Sequence, residues 1–270
     1  MSKPYEQNFD FMDLVGTITG MKALGEKLYD LLHPQQDMNQ IATPVPTTTP
    51  TPTKQGIGDM VKGASTNIIQ SLIPDSSNKT PQKNANGKTG LDLLKDAIPE
   101  AKDILPNIAK SLNDEGILSP ETLAYALGTA KHETANAMKP VREGWYNDQK
   151  YGYDEGFTGK SMAKKLNYSG GDNFYGRGLI QLTHDYNYKK YGNEIGVDLV
   201  DNPDKLLDPE ISSKVLAKYF KDRGVADAVQ KGDYTAARSA INPDKNADVV
   251  KEYSDDFLKR INDIFSKHGK

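Results

Sequence analysis

Residues 129–134 read Thr-Ala-Lys-His-Glu-Thr, and residues 140–143 read Pro-Val-Arg-Glu. They place one carboxyl group, Glu133, near the end of a predicted helix and a second, Glu143, beyond a proline that breaks helices. Ten residues of unbroken helix would separate two such groups by roughly 15 Å. Because the proline requires a turn, the sequence predicts a shorter separation, in the range where two carboxylates act on one bond.

The helix that carries Glu133 is predicted from its cap and its periodicity. Ser119 can cap it, and Pro120 suits the first helical position. Small and apolar residues recur at helical spacing and predict a core-facing stripe, namely Leu123, Leu127, Ala130 and Thr134. Glu133 lies beside this stripe, above small side chains. Its carboxyl group should be partly desolvated, as suits a general acid.

A second stretch, residues 174–188, reads Phe-Tyr-Gly-Arg-Gly-Leu-Ile-Gln-Leu-Thr-His-Asp-Tyr-Asn-Tyr. It combines aromatic rings with neutral hydrogen-bonding groups. Aromatic faces stack on the CH groups of pyranose rings, while Gln, Asn and Thr bond to hydroxyls and acetamides. This composition is typical of a sugar-binding surface.

Composition excludes several classes of function. The 270 residues include no cysteine, so disulfides and thiolate metal sites are excluded, and no metal or cofactor is expected. Residues 1–90 hold eight of the 34 Lys and Arg and eight of the 37 Asp and Glu, which leaves 26 basic and 29 acidic side chains for residues 91–270. That balance is not the basic footprint of a nucleic-acid binder. We also expect no secretory signal and no transmembrane helix.

Periodicity divides the chain into three parts. Residues 1–35 contain a predicted amphipathic helix, 9–32, which either anchors the protein to a partner helix, a particle or a membrane surface, or packs on the main domain. Residues 36–90 are a Thr/Pro-rich and polar linker with one short helix. Residues 91–270 form the compact domain. Within it, helices are predicted over 91–98, 101–112, 209–221, 233–241 and 248–265, and β structure only within 175–182.

From about residue 91 onward, the chain resembles glycoside hydrolase family 19, which contains plant-type chitinases and many bacteriophage endolysins. The resemblance rests on four motifs in the same order, at residues 131–134, 138–143, 174–188 and 195–203. It implies a mainly α, lysozyme-like, two-lobed domain with little β structure. The resemblance does not cover residues 1–90, which are predicted to be helical and disordered.

The resemblance also implies an inverting mechanism and assigns roles to residues. Glu133 resembles the general acid, and Thr183 resembles the residue that positions the attacking water. Glu143 resembles the base of the endolysin-like members, whereas Glu155 is nearer the spacing of plant chitinases and stays as an alternative base. Positions that resemble substrate contacts are His132, Gln181, Tyr186, Asn187 and Asn242.

The leading hypothesis is a phage-type endolysin or virion-associated lysozyme that cleaves the β-1,4 bond between N-acetylmuramic acid and N-acetylglucosamine in peptidoglycan, without a cofactor. It would be made in the host cytoplasm and act on the cell wall in the periplasm. The helix at residues 9–32 would tether it to a virion or a partner helix. The alternatives are a chitinase and a carbohydrate-binding virion protein without activity.

Overall fold

A computed structural model of the chain describes residues 87–145, 158–243 and 246–268. They are mainly helical, as predicted, and they belong to one compact unit, residues 65–270. The α-helices of the described residues are α1 (Gly90–Ala97), α2 (Leu105–Asp114), α3 (Pro120–Glu133), α4 (Gly159–Leu166), α5 (Asp185–Ile195), α6 (Pro209–Asp222), α7 (Val225–Gln230), α8 (Tyr234–Ile241) and α9 (Ala247–His268). Two 3₁₀ helices lie at Pro99–Ala101 and Pro203–Leu207.

Helix α2 begins four residues later than predicted. The region that precedes it forms the 3₁₀ helix Pro99–Ala101, and α2 starts at Leu105 with Pro106 in its first turn. A proline lacks the N–H group that a helix interior needs, whereas in the first turn that group has no partner within the helix. The later start therefore gives Pro106 a position that it can occupy without losing a hydrogen bond.

The prediction that β structure is confined to residues 175–182 is wrong in one respect. Strand β2 (Arg177–Gly178) lies there, but it pairs antiparallel with β1 (Val141–Arg142), outside that range. Val141 is opposite Gly178 in the register. Two residues per strand are too few for alternating hydrophobicity to reveal, since the pattern needs several repeats. The small sheet brings the segment before Glu143 against the predicted sugar-binding stretch.

Helix α3 lies in the core and ends at Glu133, as its sequence predicts. The Ser119 hydroxyl caps it by accepting a hydrogen bond from the Thr122 N–H at 3.0 Å. All four stripe residues are buried. Helix α9 packs closely against α3 at Gly128, where an added Cβ would lie 2.4 Å from Ser254 Oγ and 3.0 Å from Val250 O. Glycine is needed there because of this close approach.

The predicted anchor helix and the linker lie outside the described residues, apart from the last few positions of the linker, and stay predictions. Of the described helices, none combines the length and the hydropathy that a membrane span would need.

Candidate active site

Glu133 is held in place by an ion pair. Its Oε1 accepts a hydrogen bond from Arg238 Nη1 at 2.6 Å, and Arg238 lies on α8, 105 residues further along the chain. The side chains of Glu133 and Arg238 are 11% and 1% exposed. Because both charges are largely removed from water, each depends on the other. The pair fixes the carboxyl group at the end of α3 through Oε1. The other oxygen of the group is Oε2.

Asn242 follows α8 directly. Its N–H donates to Arg238 O at 2.7 Å, and the residue is only 3% exposed. Among the described residues, its Oδ1 has no hydrogen-bond partner. A buried acceptor without a partner costs about 1–3 kcal/mol. Asn242 thus keeps a buried amide oxygen that a ligand donor could satisfy, next to the partner of Glu133.

The turn between the two glutamates contains a cluster of unusual backbone conformations. Ala135, Asn136 and Met138 have φ values of 47°, 65° and 49°, although residues with a side chain rarely adopt this region. The Thr134 hydroxyl supports the turn: it donates to Ala130 O at 2.7 Å and accepts from Met138 N at 3.1 Å. Conformations of this kind persist where the surroundings enforce them, and they are frequent at functional sites.

Glu143 follows strand β1, and neutral donors hold both oxygens of its carboxyl group. Gly176 N donates to Oε2 at 2.8 Å, and the Tyr168 hydroxyl donates to Oε1 at 3.0 Å. The Glu143 backbone N–H in turn donates to Gly176 O at 2.7 Å. Hydrogen bonds donated to a carboxylate favour its charged form. This environment suits a group that must accept a proton.

Gly176 is the contact point between Glu143 and Gln181. A Cβ added to Gly176 would lie 2.9 Å from Gln181 Oε1 and 3.4 Å from Glu143 Oε2. Gln181 Nε2 donates to Val141 O at 2.9 Å and to Gly178 O at 3.0 Å, so its amide nitrogen ties the two strands together.

Thr183 lies between two strained residues. It is 2% exposed. Gln181, two residues before it, and His184, directly after it, have φ values of 50° and 69°. Asn187 is also buried, and its Nδ2 donates to Thr183 O at 2.9 Å. Asn187 thus fixes the backbone at Thr183. One N–H of this amide is thereby used, and a sugar contact by Asn187 would involve its other N–H or Oδ1.

Tyr186 presents an exposed aromatic ring beside this segment. It is 37% exposed and stacks on the His184 ring, with centroids 5.2 Å apart and planes inclined by 14°. His184 Nδ1 accepts a hydrogen bond from Ser169 N at 3.1 Å. The sugar stacking predicted for Tyr186 would involve the exposed part of this ring. His184 takes part in a local hydrogen bond.

Arg177 has a structural role in the same segment. Its Nε donates to Asp204 Oδ1 at 2.6 Å, and its Nη1 donates to Asn173 O at 2.8 Å and to the Tyr188 hydroxyl at 3.0 Å. The Tyr188 hydroxyl donates in turn to Tyr175 O at 2.6 Å. Burial raises the pKa of Tyr188, and the Arg177 charge opposes that shift. These contacts hold the backbone on both sides of Gly176.

The structure assigns no role to two of the predicted site residues, His132 and Glu155. His132 is half-buried in the last turn of α3, next to Glu133. Glu155 lies outside the described residues. Among those that are described, no group of three or more His, Cys, Asp or Glu side chains could hold a metal ion.

Sequence reasoning missed the partners of both glutamates, namely Arg238, Tyr168 and Gly176. Arg238 belongs to a helix whose hydrophobic pattern is ordinary. The one signal in the sequence is that this charged residue lies on the helix face that periodicity assigns to the core. Gly176 gave no signal for a contact with Glu143, because a glycine offers no side chain from which one could be predicted. Tyr168 gave no signal, because tyrosines are numerous in this part of the chain.

The chain was then compared with known proteins. A family model described as chitinase class I, of glycoside hydrolase family 19, matches residues 83–245, which is more than half of the chain. The chain belongs to glycoside hydrolase family 19. This result confirms the resemblance, and with it the assignment to the glycoside hydrolases.

The similar family 19 proteins include plant and bacterial chitinases. Endochitinase A2 of Pisum sativum is 34% identical over 125 residues, which cover 44% of this chain and 37% of that protein. Chitinase 8 of Oryza sativa subsp. japonica is 28% identical over 166 residues, or 62% of this chain and 56% of that protein. The chain thus spans at most about half the length of these two relatives.

Among solved structures, chitinase C from Streptomyces griseus HUT6037 is 16% identical with a TM-score of 0.40, and the match covers 74% of this chain and 77% of that one. The family assignment rests on the sequence match and not on this superposition.

Proposed function

We propose that the domain hydrolyses β-1,4 bonds in polymers of N-acetylglucosamine such as chitin, with inversion at the anomeric carbon. The observation that carries this proposal is the separate immobilisation of Glu133 and Glu143. One is held by a buried guanidinium group and the other by two neutral donors. Two carboxyl groups that separate contacts hold in fixed orientations are what a displacement by an acid and a base requires.

Glu133 would act as the acid. It has to give a proton to the leaving oxygen while its position stays fixed. A protonated carboxyl group keeps acceptor capacity, so Oε1 can accept from Arg238 while Oε2 carries the proton. The departing sugar then leaves as an alcohol.

Glu143 would act as the base. An ionised carboxylate has about four lone-pair sites, and Tyr168 and Gly176 donate to one oxygen each. As the base, the carboxylate would take a proton from a water molecule that attacks from the opposite face of the sugar. Thr183 would hold this water, because a hydroxyl both donates and accepts. For inversion, the two carboxyl groups must leave room for the water, which corresponds to about 6.5–9.5 Å.

Substrate binding would involve three kinds of contact. Tyr186 offers an aromatic face for stacking on a pyranose ring. Asn242 offers a buried acceptor for an acetamide N–H or a hydroxyl. Gln181 lies next to Gly176 and the base and is the third predicted contact. The predicted contact by His132 would lie on the side of the acid.

The names of the relatives favour chitin as the substrate, because both curated relatives described above are chitinases. The expectation of a peptidoglycan-cleaving endolysin is therefore the second candidate. What favours it is Glu143, which the family resemblance pairs with the endolysin-like members and which is here bound through both carboxylate oxygens. In that case the enzyme would act in the periplasm, with residues 9–32 as its tether to a virion or a partner helix.

The experiment that tests the proposal is digestion of chitin oligomers and of purified peptidoglycan by the full chain, with mass spectrometry of the products. We expect shorter N-acetylglucosamine oligomers from chitin, and none from the Glu133→Gln variant. Muropeptides with a reducing N-acetylmuramic end, released while chitin oligomers stay intact, would replace the chitinase by the endolysin. Absence of products from both substrates would contradict the hydrolase.

A further inference from the structure

The mechanism above leaves one buried polar contact of Glu143 without a purpose. Tyr168 is 4% exposed, and its hydroxyl reaches the carboxylate of a residue 25 positions earlier in the sequence. It lies two residues after the end of α4, and its N–H donates to Ala163 O at 3.0 Å. Asn167, with a left-handed φ of 53°, turns the chain at this point. The backbone thus directs Tyr168 towards Glu143.

The ring of Tyr168 belongs to a row of three rings. Its centroid lies 5.1 Å from that of His184, which in turn stacks on Tyr186. The row runs from the carboxylate of Glu143 to the exposed aromatic face on which a sugar would stack. Rings packed in this way hold each other in orientation. The Tyr168 hydroxyl therefore has a defined direction, which an exposed tyrosine lacks.

The donor pattern at Glu143 defines what Tyr168 can contribute. Gly176 N holds one oxygen of the carboxylate and Tyr168 holds the other, so the plane of the carboxylate is fixed. Without the hydroxyl, the Oε1 side of the group would lose this restraint on its orientation. The carboxylate would also lose one of the contacts that favour its charged form.

We propose that Tyr168 is a positioning residue for the base, which orients Glu143 through the hydroxyl and is itself oriented by the ring row with His184 and Tyr186. This inference rests on the proposed function, since it requires Glu143 to be the base. Tyr168 acts through Glu143 and makes no contact with the substrate. Its loss should therefore affect turnover more than binding, whereas loss of Tyr186 should affect binding.

Two other ionisable groups, Tyr188 and Arg177, lie near the base. Tyr188 is near enough for the charge of Glu143 to add to the rise in its pKa, which burial mainly causes. The Arg177 guanidinium, whose own pKa is raised despite its burial, is bonded to Tyr188 and stays charged. Neither group changes its charge in the acidic range. A shift of the acidic limb of the pH–rate profile therefore reports on carboxyl groups.

The test is the full-chain Tyr168→Phe variant, assayed on soluble chitin oligomers over a range of pH. The change removes one oxygen and keeps the ring row. We expect kcat to fall about tenfold with KM unchanged within about twofold, and the acidic limb to move up by about one pH unit. Tyr186→Ala should instead raise KM. The matched control is Tyr234→Phe on α8, whose ring packs on Tyr125 at 5.8 Å, and it should leave all three quantities unchanged.

The Glu143→Gln variant, assayed alongside, separates the two ways in which the idea can fail. If it is inactive and Tyr168→Phe keeps the wild-type kcat and acidic limb, the positioning role is wrong and the proposed base stands. If Glu143→Gln keeps the wild-type rate, the base is another residue, and the role of Tyr168 is overturned with it. A fall in kcat of Tyr168→Phe without a shift of the limb would indicate a merely structural contribution.

Discussion

Glu133 and Glu143 are ten positions apart in sequence, yet different kinds of structure hold them. Glu133 ends a long buried helix and is bound by a charged side chain from another helix. Glu143 follows a strand of two residues and is bound by a backbone N–H and a phenol. The first we call the acid side and the second the base side.

The difference between the two sides is one of chemistry as well as of scaffold. On the acid side, the buried guanidinium group of Arg238 contacts one oxygen of Glu133. The position of this carboxyl group therefore depends on the ion pair. On the base side, two neutral donors, the Tyr168 hydroxyl and the Gly176 N–H, orient the carboxylate. One backbone turn, with left-handed conformations at Ala135, Asn136 and Met138, joins the two.

The largest effect is expected on the acid side, from Glu133→Gln. The amide keeps the shape and loses the proton, and general acid–base catalysis contributes about 10²–10⁴-fold per group. We expect a loss of rate in this range, measured as reducing ends released from chitin oligomers. The control is Glu121→Gln in the first turn of the same helix, which should remain active. A Glu133→Gln enzyme with more than a tenth of the wild-type rate would exclude Glu133 as the acid.

A loss of similar size is expected on the base side for Glu143→Gln, because the amide cannot take a proton from water. Glu155→Gln should lose little. The same reducing-end assay on both variants distinguishes them. The reverse ranking would move the base to Glu155, and the contacts from Tyr168 and Gly176 would then be structural.

Stability should distinguish the two sides as well. Removing one partner of a buried ion pair costs about 3–5 kcal/mol, so Arg238→Met should lower the free energy of unfolding by that amount, measured with urea. The combined variant with Glu133→Gln should recover part of the loss. Lys214→Met, which breaks the exposed pair with Glu210, should cost less than about 1 kcal/mol. Equal losses for Arg238→Met and Lys214→Met would contradict the buried pair.

A smaller effect is expected for Thr183→Ala. Water can partly replace a lost hydrogen bond, so we expect a rate between those of the wild type and Glu143→Gln. Thr183→Ser keeps the hydroxyl and should restore most of the rate in the same assay. Wild-type activity of Thr183→Ala would remove the water-positioning role.

The two sides also differ in what the sequence predicted. The acid side depends on local signals. The Ser119 cap, the Pro120 start and the stripe ending at Thr134 placed Glu133 at the end of α3, and all of them are present. Its partner Arg238 was not predicted, because a contact over 105 residues leaves no periodic trace.

The base side could hardly be predicted from the residues alone. Strand β1 is too short for a pattern, and the bonds that hold Glu143 come from residues 25 and 33 positions away. Glycine is required at position 176 because Gln181 and Glu143 leave too little space for a side chain. This crowding is visible only in the three-dimensional structure. Helix α4, with the following Tyr168, was also missed, because it lies in a stretch rich in glycine and tyrosine. The role of Glu143 as the base was predicted from the family motifs, because the local sequence pattern does not indicate it.

The central claim is that an acid on one side and a base on the other cleave the bond in a single displacement. The most direct test is proton NMR of the first products released from a β-linked N-acetylglucosamine oligomer, recorded before mutarotation. Because the water attacks the face opposite the leaving group, the account predicts that the new reducing end appears first as the α-anomer. Initial release of the β-anomer would require a covalent intermediate and would contradict the assignment of Glu143 as a base that acts through water.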